Sequence, residues 1–199
     1  MVSKRKGNNY MKNRSYLVGV GILFCLTAAG MFLCQGCASV DPKLYASQTP
    51  VLDLSRYFNG PLEASGIFQN RKGEVVKRFH VKMVGTWSNN VGRLEEDFVY
   101  SDGTKQRRVW TLTKLDDHTY TGTADDVIGS AKGAAYGNAL NWRYTLALPV
   151  DKTIYHVQFD DWMFLVDDTI MLNRAVMSKW GFRVGEVTLS FTKGTTVAR

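Results

Sequence analysis

Residues 155–191, YHVQFDDWMFLVDDTIMLNRAVMSKWGFRVGEVTLSF, decide the fold. Tyr155, Val157 and Phe159 alternate with His156, Gln158 and Asp160, the period of two that marks a half-buried strand. After Asp160 and Asp161 the apolar phase shifts to Trp162, Phe164 and Val166, so a β-bulge or a sharp corner is expected at the two aspartates. Asp167-Asp168 reads as a turn, because aspartate side chains bond nearby backbone and tolerate unusual dihedrals. Ile170, Leu172, Arg174 and Val176 then share one strand face, and Met171, Asn173, Ala175 and Met177 the other. Trp180-Gly181-Phe182 is the next turn, and Val187, Leu189 and Phe191 face one way on the last strand. Each run needs a neighbour for its backbone, so the rest of the chain is expected to close on this segment.

Upstream the same pattern recurs. Residues 62–69 form a first strand with a turn at residues 70–73, and residues 75–87 a second, with Phe79, Val81, Met83 and Trp87 on one face. Leu94, Glu96, Phe98 and Tyr100 share a face of the third. Asp102-Gly103 signals a hairpin, since such turns require positive φ. Arg108, Trp110 and Leu112 share a face of the returning strand, and residues 119–124 continue the sheet. Leu140, Trp142, Tyr144, Leu146 and Leu148 give the cleanest alternation in the chain. About nine or ten strands with short turns and no convincing long helix predict an all-β fold. The expected form is an antiparallel up-and-down meander closing into a lipocalin-like barrel, with a two-sheet β-sandwich as the alternative. Closure removes exposed edges that would recruit another chain.

The N-terminus carries a different signal. Lys4, Arg5, Lys6, Lys12 and Arg14 precede an uncharged apolar run over residues 16–34, the layout of a secretory signal. Gly19-Val20-Gly21 lies within that run and is no nucleotide fingerprint. The following Gly36-Cys37 resembles the bacterial lipobox, in which the cysteine is acylated and becomes the new N-terminus, although Cys34 stands where that motif has Leu. The other reading is an uncleaved membrane anchor, since the run is just long enough to span a bilayer. The expected organisation is a signal peptide over residues 1–36, a lipidated N-terminus and tether over 37–50, and a single barrel domain over 51–199. Residues 51–58 within it suggest a helical turn. Acyl chains of the palmitate class on Cys37 would hold the chain on a membrane. Ala38, where Asp would mark inner-membrane retention, gives by analogy the outer membrane facing the periplasm.

Composition narrows the function. Twenty-five Lys and Arg against eighteen Asp and Glu give +7, but five of the bases precede Cys37, leaving twenty against eighteen, or +2. The basic pI therefore reflects the targeting segment, and nucleic acid is not an expected partner. The three cysteines, Cys25, Cys34 and Cys37, all lie at the N-terminus, which excludes disulfides, cysteine catalysis and thiolate metal sites from the exported domain.

The runs GRLEEDFVYSDGTKQRRVW, ADDVIGSAKGAAYGNALNWRY and YFNGPLEASGIFQNRKGEVVKRF, with the C-terminal stretch quoted above, carry a resemblance. Over residues 51–193 the chain is similar to the bacterial lipoprotein family catalogued as domain of unknown function 3833. The resemblance implies a lipoprotein and no assigned activity.

Four groups are candidates for chemistry. Trp87, Trp110, Trp142, Tyr144, Trp162 and Phe164 could line an apolar cavity, or fill it. Asp160, Asp161, Asn173 and Arg174, with the turn acids Asp167 and Asp168, could meet a polar head group at a barrel mouth, or serve as turn and strand ion pairs. Residues 129–138, with a glycine every fourth residue, lack the Gly-Lys-Ser/Thr ending of a phosphate loop and read as a loop over a strand edge, a lid or a short helix. His80, His118 and His156 show no metal-ligand spacing and no nucleophile elbow. The expectation is a non-catalytic protein without cofactor or metal that binds a hydrophobic or amphipathic molecule. An assembly factor for another envelope protein is the alternative, and a hydrolase ranks last.

Overall fold

The computed structural model describes residues 39–150 and 152–194; the apolar N-terminal run and Cys37 lie outside the described residues. Ten strands follow one another: β1 (Gly60–Asn70), β2 (Val75–Ser88), β3 (Val91–Tyr100), β4 (Lys105–Lys114), β5 (Thr119–Thr123), β6 (Ala131–Tyr136), β7 (Ala139–Val150), β8 (Thr153–Leu165), β9 (Ile170–Lys179) and β10 (Phe182–Lys193). Each pairs antiparallel with the next, and β1 pairs with β10, closing an up-and-down barrel and eliminating the sandwich. The turns form where their chemistry requires. Asn70 Oδ1 accepts from the amides of Lys72 and Glu74. Asp102 Oδ1 accepts from Thr104 N at 3.0 Å beside Gly103 at φ +83°. Asp167 Oδ1 accepts from the amides of Thr169 and Ile170, the turn expected there.

Strand β8 corrects the sequence reading. No bulge interrupts it: Asp160 pairs with Arg143 and Val176, and Asp161 with Trp142 and Ala175, without a change of register. Val157, Phe159, Asp161, Met163 and Leu165 therefore share the inner face, and Trp162 and Phe164 the outer. The outer aromatics have their own cover. Pro42–Tyr45 forms a 3-10 helix, capped by Asp41, where a plain tether was expected. Tyr45 packs edge-on against Trp162 and Phe164, with ring centroids 6.0 and 5.2 Å apart. The shift of apolar phase records a second contact on the outside of the sheet, not a kink in the strand.

The glycine-rich run is also neither lid nor helix. It is β6, whose small residues face inward to admit the Trp142 indole. A Cβ on Gly122 would lie 2.8 Å from that ring, and one on Gly133 closer still. Because β5 and β6 are short, the mouth-side halves of β4 and β7 lack a strand between them. The connection of residues 124–130 lies there, strapped to β7 by Ala147 N to Asp126 O at 2.8 Å and Ile128 N to Thr145 O at 2.9 Å.

One end of the barrel is plugged by α1 (Leu54–Tyr57) and its flanks. Leu52, Leu54, Tyr57 and Phe58 are buried there. Asp53 caps the helix through Ser55 N at 2.8 Å and takes Lys114 Nζ at 2.7 Å. Tyr57 donates to Thr169 O, and the Trp87 indole donates to Phe58 O at 3.1 Å. All strands and the plug lie within one compact unit, residues 41–199. Replacing Gly133 by Val should expel the Trp142 ring at a cost of about 1–3 kcal/mol. Urea unfolding followed by tryptophan emission would check this; an unchanged midpoint would contradict the packing described.

Candidate ligand cavity

The lumen is hollow. A cavity of about 1020 Å³ runs from the plug, where Leu54 and Phe58 form its floor, to the opposite end, where Val76, Lys77, Lys105 and Ile154 line its mouth. Its wall is mostly apolar: Phe79, Val81, Leu112, Leu140, Phe159 and Val187 all point inward. Around the mouth, Val75, Val76, Val150, Ile154, Trp180 and Phe182 stand exposed.

Of the aromatics singled out in the sequence, three reach this space. Trp110 stands edge-on to Trp142 and Tyr144, at 5.9 and 5.5 Å, and Tyr144 stacks on Phe159 at 4.9 Å. Trp87 instead ties down the plug, and Trp162 and Phe164 lie outside the barrel. The polar set divides likewise. Asp161 and Asn173 line the cavity. Asp160 is on the outer surface with Arg143, at 3.2 Å. Arg174, expected to meet a head group, is also outside and is bidentate to Glu186 at 2.8 Å, with Arg183 on the same carboxylate. The parity of β8 and β9 dictates this division: Asp161 and Asn173 share the inward face with Met163 and Met171, while their neighbours Asp160 and Arg174 point outward. The histidines do not converge. His80 bonds Ser65 on the exposed surface, His118 bonds Ala135 O and His156 is exposed.

A second polar group, outside the candidates read from the sequence, lies inside the barrel. Glu96 and Arg108 are direct cross-strand partners on β3 and β4, both facing inward. Arg108 is bidentate to Asp126 of the 124–130 connection, with contacts of 2.6, 2.9 and 3.1 Å, and so closes the lateral gap between β4 and β7. Its contact with Glu96 Oε2 is longer, at 3.9 Å. That oxygen is buried and has no hydrogen-bond partner among the described residues. The signal for this group was present: Glu96 and Arg108 fall in phase with Leu94, Phe98, Trp110 and Leu112, where an apolar residue would serve the core better.

On the facing wall Asn173 donates to Asp161 Oδ1. Burial pushes the Glu96 carboxyl up to about 7; Arg108 and the nearby Trp110 indole partly offset this, and Asp126 and Asp161 add to it. Burial likewise pushes Asp161 up to about 7, against the pull of Asn173. Burial disfavours the charge on Arg108, but Glu96 and Asp126 more than offset it and hold the guanidinium ionised. Burial, reinforced by Asp161, keeps the Tyr144 hydroxyl well above its ordinary value. Among the described residues no three His, Cys, Asp or Glu converge closely enough to hold a metal ion.

Fold and lumen together define a calyx, a single closed sheet plugged at one end and open at the other. The chain belongs to the family described as protein of unknown function DUF3833, whose profile matches residues 31–193. No curated protein matches it. Solved structures that share the fold include two with a TM-score above 0.5. The S-type phycobiliprotein lyase of Guillardia theta has 7% identity and a TM-score of 0.54, over 79% of this chain and 99% of that one. A protein of unknown function from the DUF3598 family of Nostoc punctiforme has 10% identity and a TM-score of 0.51, over 74% of this chain and 51% of that one, so the chain spans about half of its length.

The raised carboxyls fix a pH dependence. Glu96 and Asp161 bind protons more tightly folded than unfolded, so stability falls as pH rises from the ordinary carboxylate range through about 7. For Glu96, a rise from 4.5 to about 7 corresponds to roughly 3 kcal/mol. The melting temperature of the empty barrel should drop between about pH 5 and pH 8, and Glu96→Gln with Asp161→Asn should flatten that drop. A melting temperature that rises over this interval would contradict the burial of both groups.

Proposed function

We propose that this protein is a bacterial envelope lipoprotein, anchored by acyl groups on Cys37, whose barrel holds a hydrophobic or amphipathic molecule. The observation that carries the binding role is the cavity of about 1020 Å³ between the plug and the mouth. It falls in the range of small-molecule sites, which run to roughly 1,000 Å³, and its lining is apolar with a few convergent polar groups, as such sites require. The exposed apolar rim gives a greasy molecule a continuous path from the mouth to the interior. The anchoring role rests on the basic and apolar leader and on Gly36-Cys37, and Ala38 favours the outer membrane by analogy with sorting signals. The fold shared with the phycobiliprotein lyase supports an up-and-down barrel and no particular ligand.

Titration of the barrel with the uncharged dye Nile red should give saturable, blue-shifted emission, and native mass spectrometry should recover a copurified apolar molecule. Ala175 faces the lumen and is 2% exposed. Ala175→Trp should therefore weaken dye binding about tenfold or more by filling space, with cooperative unfolding as the check that the variant still folds. Dye emission that never saturates, or that ignores Ala175→Trp in a folded variant, would defeat the binding role.

The anchor is tested separately in cells. An alkyne analogue of palmitate should label the wild-type chain, and Cys37→Ser should abolish the label and release the protein from the membrane fraction. Labelling that survives the substitution would remove the lipoprotein assignment.

A further inference from the structure

The cavity's polar groups say which end of an amphiphile it can accept. Besides Lys77 and Lys105 at the mouth, four carboxyls line the lumen, Glu96 on β3, Asp125 and Asp126 on the 124–130 connection and Asp161 on β8, against a single guanidinium, Arg108 on β4. Asp126 already occupies the Arg108 Nε and Nη2 at 2.6–3.1 Å and Glu96 stands 3.9 Å from its Nη1, so carboxylates of the chain itself surround the guanidinium. Above about pH 7, where Glu96 and Asp161 are ionised, a fatty-acid carboxylate placed there would meet an excess of groups of its own sign over the one guanidinium. The opposite need is visible. Glu96 is 8% exposed, its Oε2 has no hydrogen-bond partner, and it lies in the cavity wall. A buried acceptor without a donor is costly, and a ligand that brings one relieves the cost. Among the described residues Asp161, on the facing wall, has one side-chain donor, Asn173. The geometry does not suit a metal ion, since no three ligating side chains converge among the described residues.

We infer that the occupant is a cationic amphiphile, an apolar body ending in an ammonium group that enters the lumen and is held between Glu96 and Asp161. This rests on the binding role proposed above and names its ligand class. The ammonium supplies a further donor to Glu96 and Asp161 beside Trp110 and Asn173, and its charge balances the excess of carboxyls over Arg108. The apolar body lies against Leu140, Phe159 and Val187, with Trp110 and Tyr144 beside the head. The same arrangement gives binding a pH dependence. The titratable and charged groups lining the lumen around the ammonium are Glu96 and Tyr100 on β3, Arg108 on β4, Asp125 and Asp126 on the connection, Tyr144 on β7 and Asp161 on β8, with Lys77 on β2 and Lys105 on β4 at the mouth and Asn173 on β9 as a neutral donor. Of these, Glu96 and Asp161 change charge near neutrality, while the tyrosines and Arg108 keep theirs. An alkylamine keeps its charge over the same interval, so its affinity should rise as pH rises through about 7.

The test is displacement of Nile red from the barrel, residues 41–199, by decylamine, decanol and decanoate, at about pH 8 and about pH 5.5. At the higher pH decylamine should bind at least about tenfold more tightly than decanoate and more tightly than decanol. At the lower pH that preference should shrink. Glu96→Gln with Asp161→Asn should reduce the affinity for decylamine about tenfold and leave decanol within about threefold of wild type, which separates loss of charge recognition from loss of the pocket. Decanoate equal to or tighter than decylamine would overturn the inference, as would decanol matching decylamine at the higher pH, or an amine preference that the double variant keeps. In each of those outcomes dye binding survives, so the calyx would still hold a ligand of another class. If the dye itself does not bind, the binding role and this inference fall together.

Discussion

The pairing of β1 with β10 is the constraint on which the rest depends. It runs in unbroken register from Leu62 opposite Lys193 to Asn70 opposite Gly185. Without it, β1 and β10 would each present a row of unpaired amides and carbonyls, open to any other strand. With it, every strand has two neighbours and the alternation along each is locked to one choice of inside and outside. A slip of one residue would turn Phe79, Val81 and Met83 to solvent and bring Arg78, His80 and Lys82 into the lumen. Strand number then sets the bore. Eight strands leave an interior that side chains can just fill, and ten leave more. The aromatic residues of β4, β7 and β8 therefore narrow the lumen without closing it.

Closure of the sheet does not by itself decide which end opens. That is settled by the segment before β1. Asp53, Leu54, Tyr57 and Phe58 fold into a cap whose polar ends are all satisfied, by Lys114, Thr169 O and the Trp87 indole. Gly85 makes the fit possible, because a side chain there would collide with the Phe58 carbonyl. Burying a backbone end against a sheet is tolerable only with such partners. Among the described residues the opposite end has nothing comparable: its turns are short, and valines, Ile154, Trp180 and Phe182 stand exposed around it. One closed end and one open end give the cavity its single direction.

The period of two carried most of this in the sequence. The inward faces of β2, β3, β4 and β7 were legible because each keeps one phase along its length, and the Asp-Gly and Asp-Asp turns fall where their hydrogen bonding requires. Two readings failed for one physical reason. Trp162 and Phe164 are apolar because Tyr45 covers them from outside, and a contact remote in sequence leaves no periodic trace. Residues 131–136 look like a loop because Ala and Gly have low strand propensity, yet their smallness is what admits Trp142. The site was legible only in part. Trp110, Trp142, Tyr144, Asp161 and Asn173 do line one space. Glu96 and Arg108 were visible as charges in an apolar phase, but Asp126 reaches them from a connection of no regular structure.

A purely architectural account of the interior charges explains some of them. Arg108 and Asp126 join β4 to the 124–130 connection where β5 and β6 are too short to do so, and Asn173 with Asp161 forms a diagonal pair across β8 and β9. Glu96 does not fit that account. It is too far from Arg108 for a hydrogen bond, and its Oε2 has no hydrogen-bond partner among the described residues. Replacing a buried ionic group by a well-packed apolar one is often neutral or stabilising, so a scaffold selected for stability alone has no need of a glutamate at this position. An apolar residue in phase with Leu94 and Phe98 would complete the wall. The ammonium inferred above would account for Glu96: it would arrive through the mouth, pass along the apolar wall and meet the excess of carboxyls inside the barrel.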